Sequence, residues 1–174
     1  MRAMTPLAVI SDCGLYRYKL SRSWGNGRHL TFIMLNPSTA DALADDPTIR
    51  RCIGFAKREG MDGIHVLNLF AFRATKPERM HDAFDPAGPE NHRYLDDAIG
   101  FSIYANRPIV CAWGSHWMAK DAGQSLIDRM HINGAQPICL GFTKNWAPRH
   151  PLYVKGDAEL VSILPNAPDR GETP

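Results

Sequence analysis

The stretch LTFIMLNPS, residues Leu30 to Ser38, decides the fold of this 174-residue chain. After Thr31 the segment is apolar as far as Leu35, which is typical of a strand buried on both faces of a sheet. Asn36-Pro37 then ends the strand, because proline lacks the N–H that a ladder needs and restricts the residue before it. Polar side chains thus follow the carboxyl end of a strand, where open α/β sheets bind ligands. By itself, Asn-Pro predicts only a turn.

Three further apolar segments resemble the first and predict strands over residues Gly63–Phe70, Ile109–Trp113 and Pro137–Leu140. Helical spacing of apolar residues predicts one helix that begins with Asp46 as its N-cap and Pro47 in its first turn and ends at Gly60. Two more helices are predicted over Pro89–Ala105 and Trp117–Met130. Because strands and helices alternate, we predict an α/β fold. Its expected form is a three-layer sandwich around a mainly parallel, four-stranded central sheet.

An additional strand is predicted before the first core strand. Residues Gly14–Trp24 alternate in part between apolar and polar side chains, which indicates an edge strand. Gly25-Asn26-Gly27 is a strong turn signal, so we expect this strand to form an antiparallel hairpin with the Leu30 strand. Residues 1–164 are predicted to form one domain, and the polar, proline-rich tail 165–174 is expected to be disordered.

Composition is that of a globular protein, with 44% hydrophobic and 22% charged residues. No apolar run reaches the length of a membrane span and no signal-peptide pattern is present, so we expect a cytoplasmic protein without a membrane partner. The four cysteines form no CxxC pair and the seven histidines no HxH or HxxxH pair. We therefore predict no metal and no cofactor. A net charge of +2 permits nucleic-acid binding but does not indicate it.

The strand ends carry the candidate functional residues. The side-chain carbonyl of Asn36 can hold a water while its NH2 donates elsewhere. Asn68 offers a donor and an acceptor that suit the edge of a base, although capping a strand end explains it equally well. Phe70 can stack on a planar ligand, although a core position is more typical of phenylalanine. His150 follows Arg149 in a loop held by two prolines, where it can stabilise a leaving group.

Four motifs in this order, LNPS, VLNLFAFR, CAWGSHW and RHPLYV, resemble the uracil-DNA glycosylase superfamily. The resemblance implies a glycosylase-like fold in which Asn36 positions the attacking water, Asn68 reads the base and His150 faces it. Base contacts are also expected from Phe70 and Ser38. The cations that lie beside the motifs are candidates for phosphate contacts: Arg73, Lys144 and Arg149.

A second resemblance covers nearly the whole domain, from Cys13 to Val154. The phrases LNPSTA, DPTIRRC, NLFAFRAT and HPLYV are similar to those of an uncharacterised bacterial and phage family. This resemblance identifies a family without assigning it a function.

The leading hypothesis is a DNA glycosylase-like enzyme that hydrolyses the N-glycosidic bond of a modified or deaminated base, with DNA or a nucleotide as its partner. Such chemistry requires a placed water and groups that stabilise the departing base, and it requires no metal. Two alternatives stay open: a non-catalytic module that binds a nucleotide or nucleic acid, and a nucleotide-modifying transferase on the same scaffold.

Overall fold

The computed structural model describes residues 5–38, 45–81 and 83–165. The predicted core strands and helices are present, with ends that differ from the prediction by a few residues. In chain order the elements are β1 (Thr5–Ile10), β2 (Arg17–Ser23), β3 (His29–Met34), α1 (Pro47–Arg58), β4 (Gly63–Asn68), α2 (Asn91–Tyr104), β5 (Ile109–Cys111), α3 (Ala119–Ile132), β6 (Pro137–Cys139) and β7 (Val161–Ser162). Short 3₁₀ turns cover Pro77–Met80 and Pro151–Tyr153.

The fold is α/β, and its sheet has seven strands over the described residues, whereas the sequence predicted four central strands and one edge strand. The order of the seven strands is β1-β2-β4-β3-β5-β6-β7. The central strands β4, β3, β5 and β6 are mutually parallel, whereas β1, β2 and β7 pair antiparallel with their neighbours. The prediction missed β1 and β7, which extend the two edges of the parallel centre. Strand β7 has only two paired residues, which is too short for a periodic signal.

The predicted hairpin between β2 and β3 is wrong, because β4 lies between the two strands and pairs with both. The two glycines between β2 and β3 do not form a two-residue hairpin turn. They allow this segment to pass close to the side chain of Asp62. A Cβ at Gly25 or Gly27 would stand only 2.3 or 1.9 Å from carboxylate oxygens of Asp62. The Asp62 carbonyl accepts hydrogen bonds from the N–H groups of Trp24 and Gly25. The β2–β3 connection therefore straddles the start of β4, and β2 is an interior strand rather than the predicted edge.

Helices cover both faces of the sheet. Phe32 belongs to a buried cluster with Ile49 and Phe55 of α1, while the next residue, Ile33, belongs to a cluster with residues of α2 and α3. This alternation follows from the two-residue period of a strand, and it yields three layers.

The start of α1 is defined by local chemistry. The Asp46 side chain accepts a hydrogen bond from the Ile49 N–H at 2.8 Å, and Pro47 occupies the first turn. The predicted cap is thereby confirmed. The predicted tail lies outside the described residues apart from Pro165, as do residues 39–44. Within the part of the chain that is described, no helix has both the length and the apolar character needed to cross a membrane.

Candidate functional site

A cavity of about 690 Å³ lies where β3 and β5 end and where the loop after β6 returns. Its size falls in the range of pockets that enclose small ligands. Asn36 and Ser38 come from the segment after β3, and Trp113 and Gly114 follow β5. The loop after β6 and the remaining walls contribute Thr143, Lys144, Arg149, His150, Tyr153, His116, Asp46 and Arg17, among others. The carboxyl ends of parallel strands thus meet at one site.

The cavity brings together five of the eight residues proposed from the sequence: Asn36, Ser38, Lys144, Arg149 and His150. They come from two segments more than a hundred residues apart, so only the parallel sheet brings them to one edge. The other three, Asn68, Phe70 and Arg73, do not belong to its lining.

Asn36 has a defined orientation. Its side-chain NH2 donates to the carbonyl of Ala74 at 2.9 Å and to that of Pro37 at 3.1 Å. Both partners are acceptors only, so the nitrogen of the amide must face them. The side-chain Oδ1 therefore faces away from these carbonyls and accepts no hydrogen bond from the described residues. Asn36 thus lines the cavity with an amide that the backbone holds in place and whose Oδ1 has no donor among the described residues.

The tautomer of the His150 ring is equally defined. The Leu152 N–H donates to its Nδ1 at 3.3 Å, because His150 caps the short turn Pro151–Tyr153. An accepting Nδ1 carries no proton, so the neutral ring carries its proton on Nε2. Burial lowers the pKa of His150, with a smaller opposing effect from Asp46. The ring is therefore a neutral donor at pH 7.

Backbone contacts position the loop that carries His150. Gly114 has a φ of +77°, a conformation that favours glycine, and its N–H donates to the Pro148 carbonyl at 2.9 Å. From α1, the Arg51 guanidinium donates to the carbonyls of Pro151 and Val154. The loop after β6 is thus attached both to the end of β5 and to the helix on one face of the sheet.

Ser38 contacts the first turn of α1. Its hydroxyl donates to Oδ2 of Asp46 at 3.1 Å, while Oδ1 of Asp46 caps the helix. Both carboxylate oxygens of Asp46 therefore have a protein partner, although this residue lines the cavity.

The three remaining candidates have other surroundings than the cavity lining. Asn68 is 1% exposed and pairs in register with Met34, which is part of the cavity wall. Its Oδ1 finds no hydrogen-bond partner among the described residues. Phe70 packs against the hydrophobic cluster on the α2 and α3 side. The Arg73 guanidinium donates to the Gly14 carbonyl at 2.9 Å.

Arg17 was not anticipated from the sequence. It is 5% exposed and lines the cavity from the start of β2. Burial is the main cause that lowers the pKa of Arg17 to about 10, and Asp46 opposes that effect. In the pattern RYKLSRS this arginine looks like any polar residue of a half-exposed strand. Only the pairing of β2 inside the sheet reveals its burial.

No group of three or more histidine, cysteine or acidic side chains in the described ranges is arranged to hold a metal ion. Residues 17–152 match the family described as "Protein of unknown function (DUF1643)". The match covers most of the chain, so the protein belongs to this family. No curated protein matches it.

Proposed function

We propose that this member of the DUF1643 family hydrolyses the N-glycosidic bond of a modified or deaminated base in DNA or a nucleotide. The observation that carries the proposal is the fixed amide of Asn36, whose Oδ1 is left as an acceptor at a cavity lined with cations. In the reaction the bond from C1′ of the sugar to the base nitrogen breaks. Water adds its oxygen to C1′, and its two protons end on the sugar hydroxyl and the base.

Asn36 acts on the water. An amide oxygen accepts one of the hydrogens of the water and directs a lone pair towards the sugar. A neutral amide does not remove the proton by itself, so positioning is its contribution. The two backbone carbonyls that hold its NH2 prevent the amide from rotating. This restraint is what a positioned nucleophile requires.

His150 acts on the base. As the bond breaks, negative charge accumulates on the base, and a donor aimed at a base oxygen stabilises that charge. The proton on Nε2 supplies such a donor, and Leu152 holds the ring in the tautomer that carries it. A neutral imidazole donates its hydrogen bond without presenting a full charge to the uncharged ground state of the base, so its contribution rises as the bond breaks.

The mouth of the cavity suits a nucleic-acid strand. Lys144 and Arg149 are exposed cations in the loop after β6, and Tyr153 is 80% exposed. Trp146, in the same loop, is 54% exposed and has a φ of +59°, which is strained for a tryptophan. Exposed aromatic rings beside cations are the usual means of holding unstacked bases and their phosphates. A base must leave its stack to reach such a cavity.

We include in this proposal a uracil-DNA-glycosylase-like arrangement of the strands. A parallel four-stranded centre with LNPS, WGS and RHP at neighbouring ends supports a uracil-DNA-glycosylase-like arrangement. We propose that Asn68 reads the base, because its buried Oδ1 lacks a hydrogen-bond partner among the described residues and Met34, its neighbour in the sheet, lines the cavity. We propose that Phe70 contacts the base and that Arg73 contacts a phosphate, both from outside the cavity lining.

The experiment measures base release from oligonucleotides that carry uracil, hypoxanthine or a bulky modified pyrimidine, and from the corresponding nucleotides. We expect release by the wild type and a loss of about 100-fold or more in Asn36→Ala. Asn133→Ala is the matched control, because Asn133 is exposed at the end of α3. Thermal unfolding of each variant reports whether the fold is intact. Absence of release from every substrate by the wild type, or equal rates with Asn36→Ala, would contradict the proposal.

A non-catalytic binding module gives a different result in the same experiment. It binds oligonucleotides in a salt-dependent manner and releases no base. A transferase releases or modifies a base only when a second substrate is added, which mass spectrometry of the treated nucleic acid detects.

A further inference from the structure

Arg17 is the unusual charged group of the cavity. It is 5% exposed, lines the cavity, and its backbone N–H donates to the Ala71 carbonyl. Its side chain makes no hydrogen bond and no ion pair within residues 5–38, 45–81 and 83–165, and its Nε is among the buried atoms without a partner. Buried guanidinium groups in proteins are normally paired, because removing an ion from water is costly.

A second buried arginine on the same strand shows the usual arrangement. Arg22 is 1% exposed, its Nε contacts Oδ1 of Asp45 at 2.7 Å, and its Nη1 donates to the Ser21 carbonyl at 3.0 Å. Both arginines are buried in one strand, yet within the described residues only Arg22 has a carboxylate partner. The difference is therefore specific to the position that faces the cavity.

Among the described residues, no carboxylate pairs directly with the Arg17 guanidinium. Asp46 attracts the Arg17 charge electrostatically, while Arg22 and Arg73 repel it. The two oxygens of Asp46 already accept hydrogen bonds from the Ile49 N–H and the Ser38 hydroxyl. The cavity thus keeps an excess of positive charge at a buried guanidinium that has five donors in a rigid fork.

We propose that Arg17 binds an oxyanion, a carboxylate or a terminal phosphate, that the ligand of this cavity carries into it. Two oxygens of a carboxylate or of a phosphate pair with a guanidinium through two parallel hydrogen bonds, which matches the fork of Arg17. Because Arg17 is almost fully buried, the phosphodiester backbone of a continuous duplex cannot reach it. The substrate class is therefore a nucleotide with a terminal phosphate, or a base that bears an acidic substituent. This substrate class rests on the proposed function, whereas the oxyanion site itself does not.

The experiment compares thermal unfolding and calorimetric binding at constant ionic strength with four probes: inorganic phosphate, a nucleoside 5′-monophosphate, succinate and an uncharged nucleoside. We expect the charged probes to raise the Tm of the wild type and the uncharged nucleoside to raise it less. Arg17→Met should lose the additional stabilisation. A larger effect of phosphate probes identifies a phosphate ligand, and a larger effect of succinate identifies a carboxylate.

The ligand-free variants give an independent readout. Arg17→Met removes an uncompensated buried charge, so its Tm should rise by about 2–4 °C above that of the wild type. Arg22→Met is the matched control on the same strand. It leaves Asp45 without its cation, so its Tm should fall. Arg17→Lys keeps the charge without the fork and should weaken oxyanion binding at least tenfold.

The proposal is overturned if the charged probes stabilise wild type and Arg17→Met equally, if none of them binds the wild type, or if Arg17→Met unfolds at a lower temperature than the wild type. Base release is measured separately on the Asn36 variants. Oxyanion binding without base release would contradict the proposed glycosidase activity and support the oxyanion site at Arg17. Base release without oxyanion binding would support the glycosidase activity and contradict the oxyanion site.

Discussion

At the residue scale, backbone contacts determine what the polar side chains of the cavity can do. Two carbonyls hold the NH2 of Asn36, and one N–H holds Nδ1 of His150. Each contact leaves one atom of defined character for a ligand, an acceptor on Asn36 and a donor on His150. Side chains that rotate freely would have to be ordered by the ligand at an entropic cost, which these contacts avoid.

A second histidine site, on the sheet, makes stability depend on pH. Nδ1 of His65 lies 2.9 Å from the Ser21 hydroxyl, and its ring stacks on that of His29 with centroids 4.8 Å apart. Burial, followed by repulsion from Lys19 and His29, lowers the pKa of His65 from 6.5 to about 4. The unfolded state therefore binds more protons between these values, so stability falls as the pH falls from about 6.5 to about 4.

We predict that His65→Gln reduces this acid sensitivity. Between pH 7.5 and pH 4.5 the wild type should lose more free energy of unfolding than the variant, by about 1–2 kcal/mol. Urea denaturation at the two pH values measures the difference. His92→Gln, at an exposed position of α2, is the control and should behave as the wild type. Equal acid sensitivity of wild type and His65→Gln would show that His65 is not responsible.

At the element scale, α3 shapes the cavity through its contact with Trp113. This tryptophan is 4% exposed and lines the cavity just after β5. A Cβ at Gly123 of α3 would lie 2.7 Å from its indole ring. The absence of a side chain at Gly123 thus allows the helix to approach the residue that forms one wall of the site.

We predict that Gly123→Ala lowers the free energy of unfolding by about 1–3 kcal/mol, because the indole must shift to admit the methyl group. The shift displaces the cavity wall, so nucleotide affinity should also fall. Gly100→Ala is the matched control: Gly100 lies in α2 and has no atom within 4 Å of an added Cβ. That variant should gain about 0.5–1 kcal/mol from its helix propensity. Denaturant unfolding and calorimetric titration provide both quantities, and a stabilised Gly123→Ala would contradict the close contact.

At the scale of the whole molecule, the charge is nearly balanced but unevenly placed. A net charge of +2 by itself attracts nucleic acid only weakly. Lys144 and Arg149 are nevertheless exposed at the cavity mouth, in the loop that also carries His150. A local cluster can bind phosphates although the total charge is small.

We predict that Lys144→Gln weakens binding of single-stranded oligonucleotides and lowers the slope of log K against log salt by about 1 in magnitude. Fluorescence anisotropy titrations over a range of salt concentrations measure the slope. Lys57→Gln, at an exposed position near the end of α1 and remote in sequence from the loop after β6, is the control and should leave the slope unchanged. An identical slope for Lys144→Gln and wild type would show that the oligonucleotide binds elsewhere on the surface.

Local patterns predicted most of the elements, because their causes are local. Apolar runs define the four central strands, and Asp46-Pro47 forms the start of α1 as the capping pattern predicts. The same patterns predicted that Asn36 and His150 follow strand ends. That they share one cavity with Lys144 and Arg149 follows from the parallel order of β3, β5 and β6.

The elements that were missed depend on partners distant in sequence. The chain does reverse its direction at Gly25-Asn26-Gly27, as the turn signal predicts. The two strands that flank the turn do not pair with each other, however, because β4 lies between them and pairs with both. Arg17 has no local signature, because an arginine on an exposed strand and a buried, unpaired arginine have the same sequence neighbourhood.

By itself the sequence determined the α/β class, the apolar runs that form strands and the polar ends that follow them, since hydrophobic period, proline and capping chemistry act over a few residues. The tertiary structure alone decided the strand order, the interior position of β2 and the burial of Arg17 in the cavity, where its Nε has no partner among the described residues. The physical reason is that pairing and burial are non-local. They depend on which strands remove each other's backbone and side chains from water, and no short window of sequence contains that information.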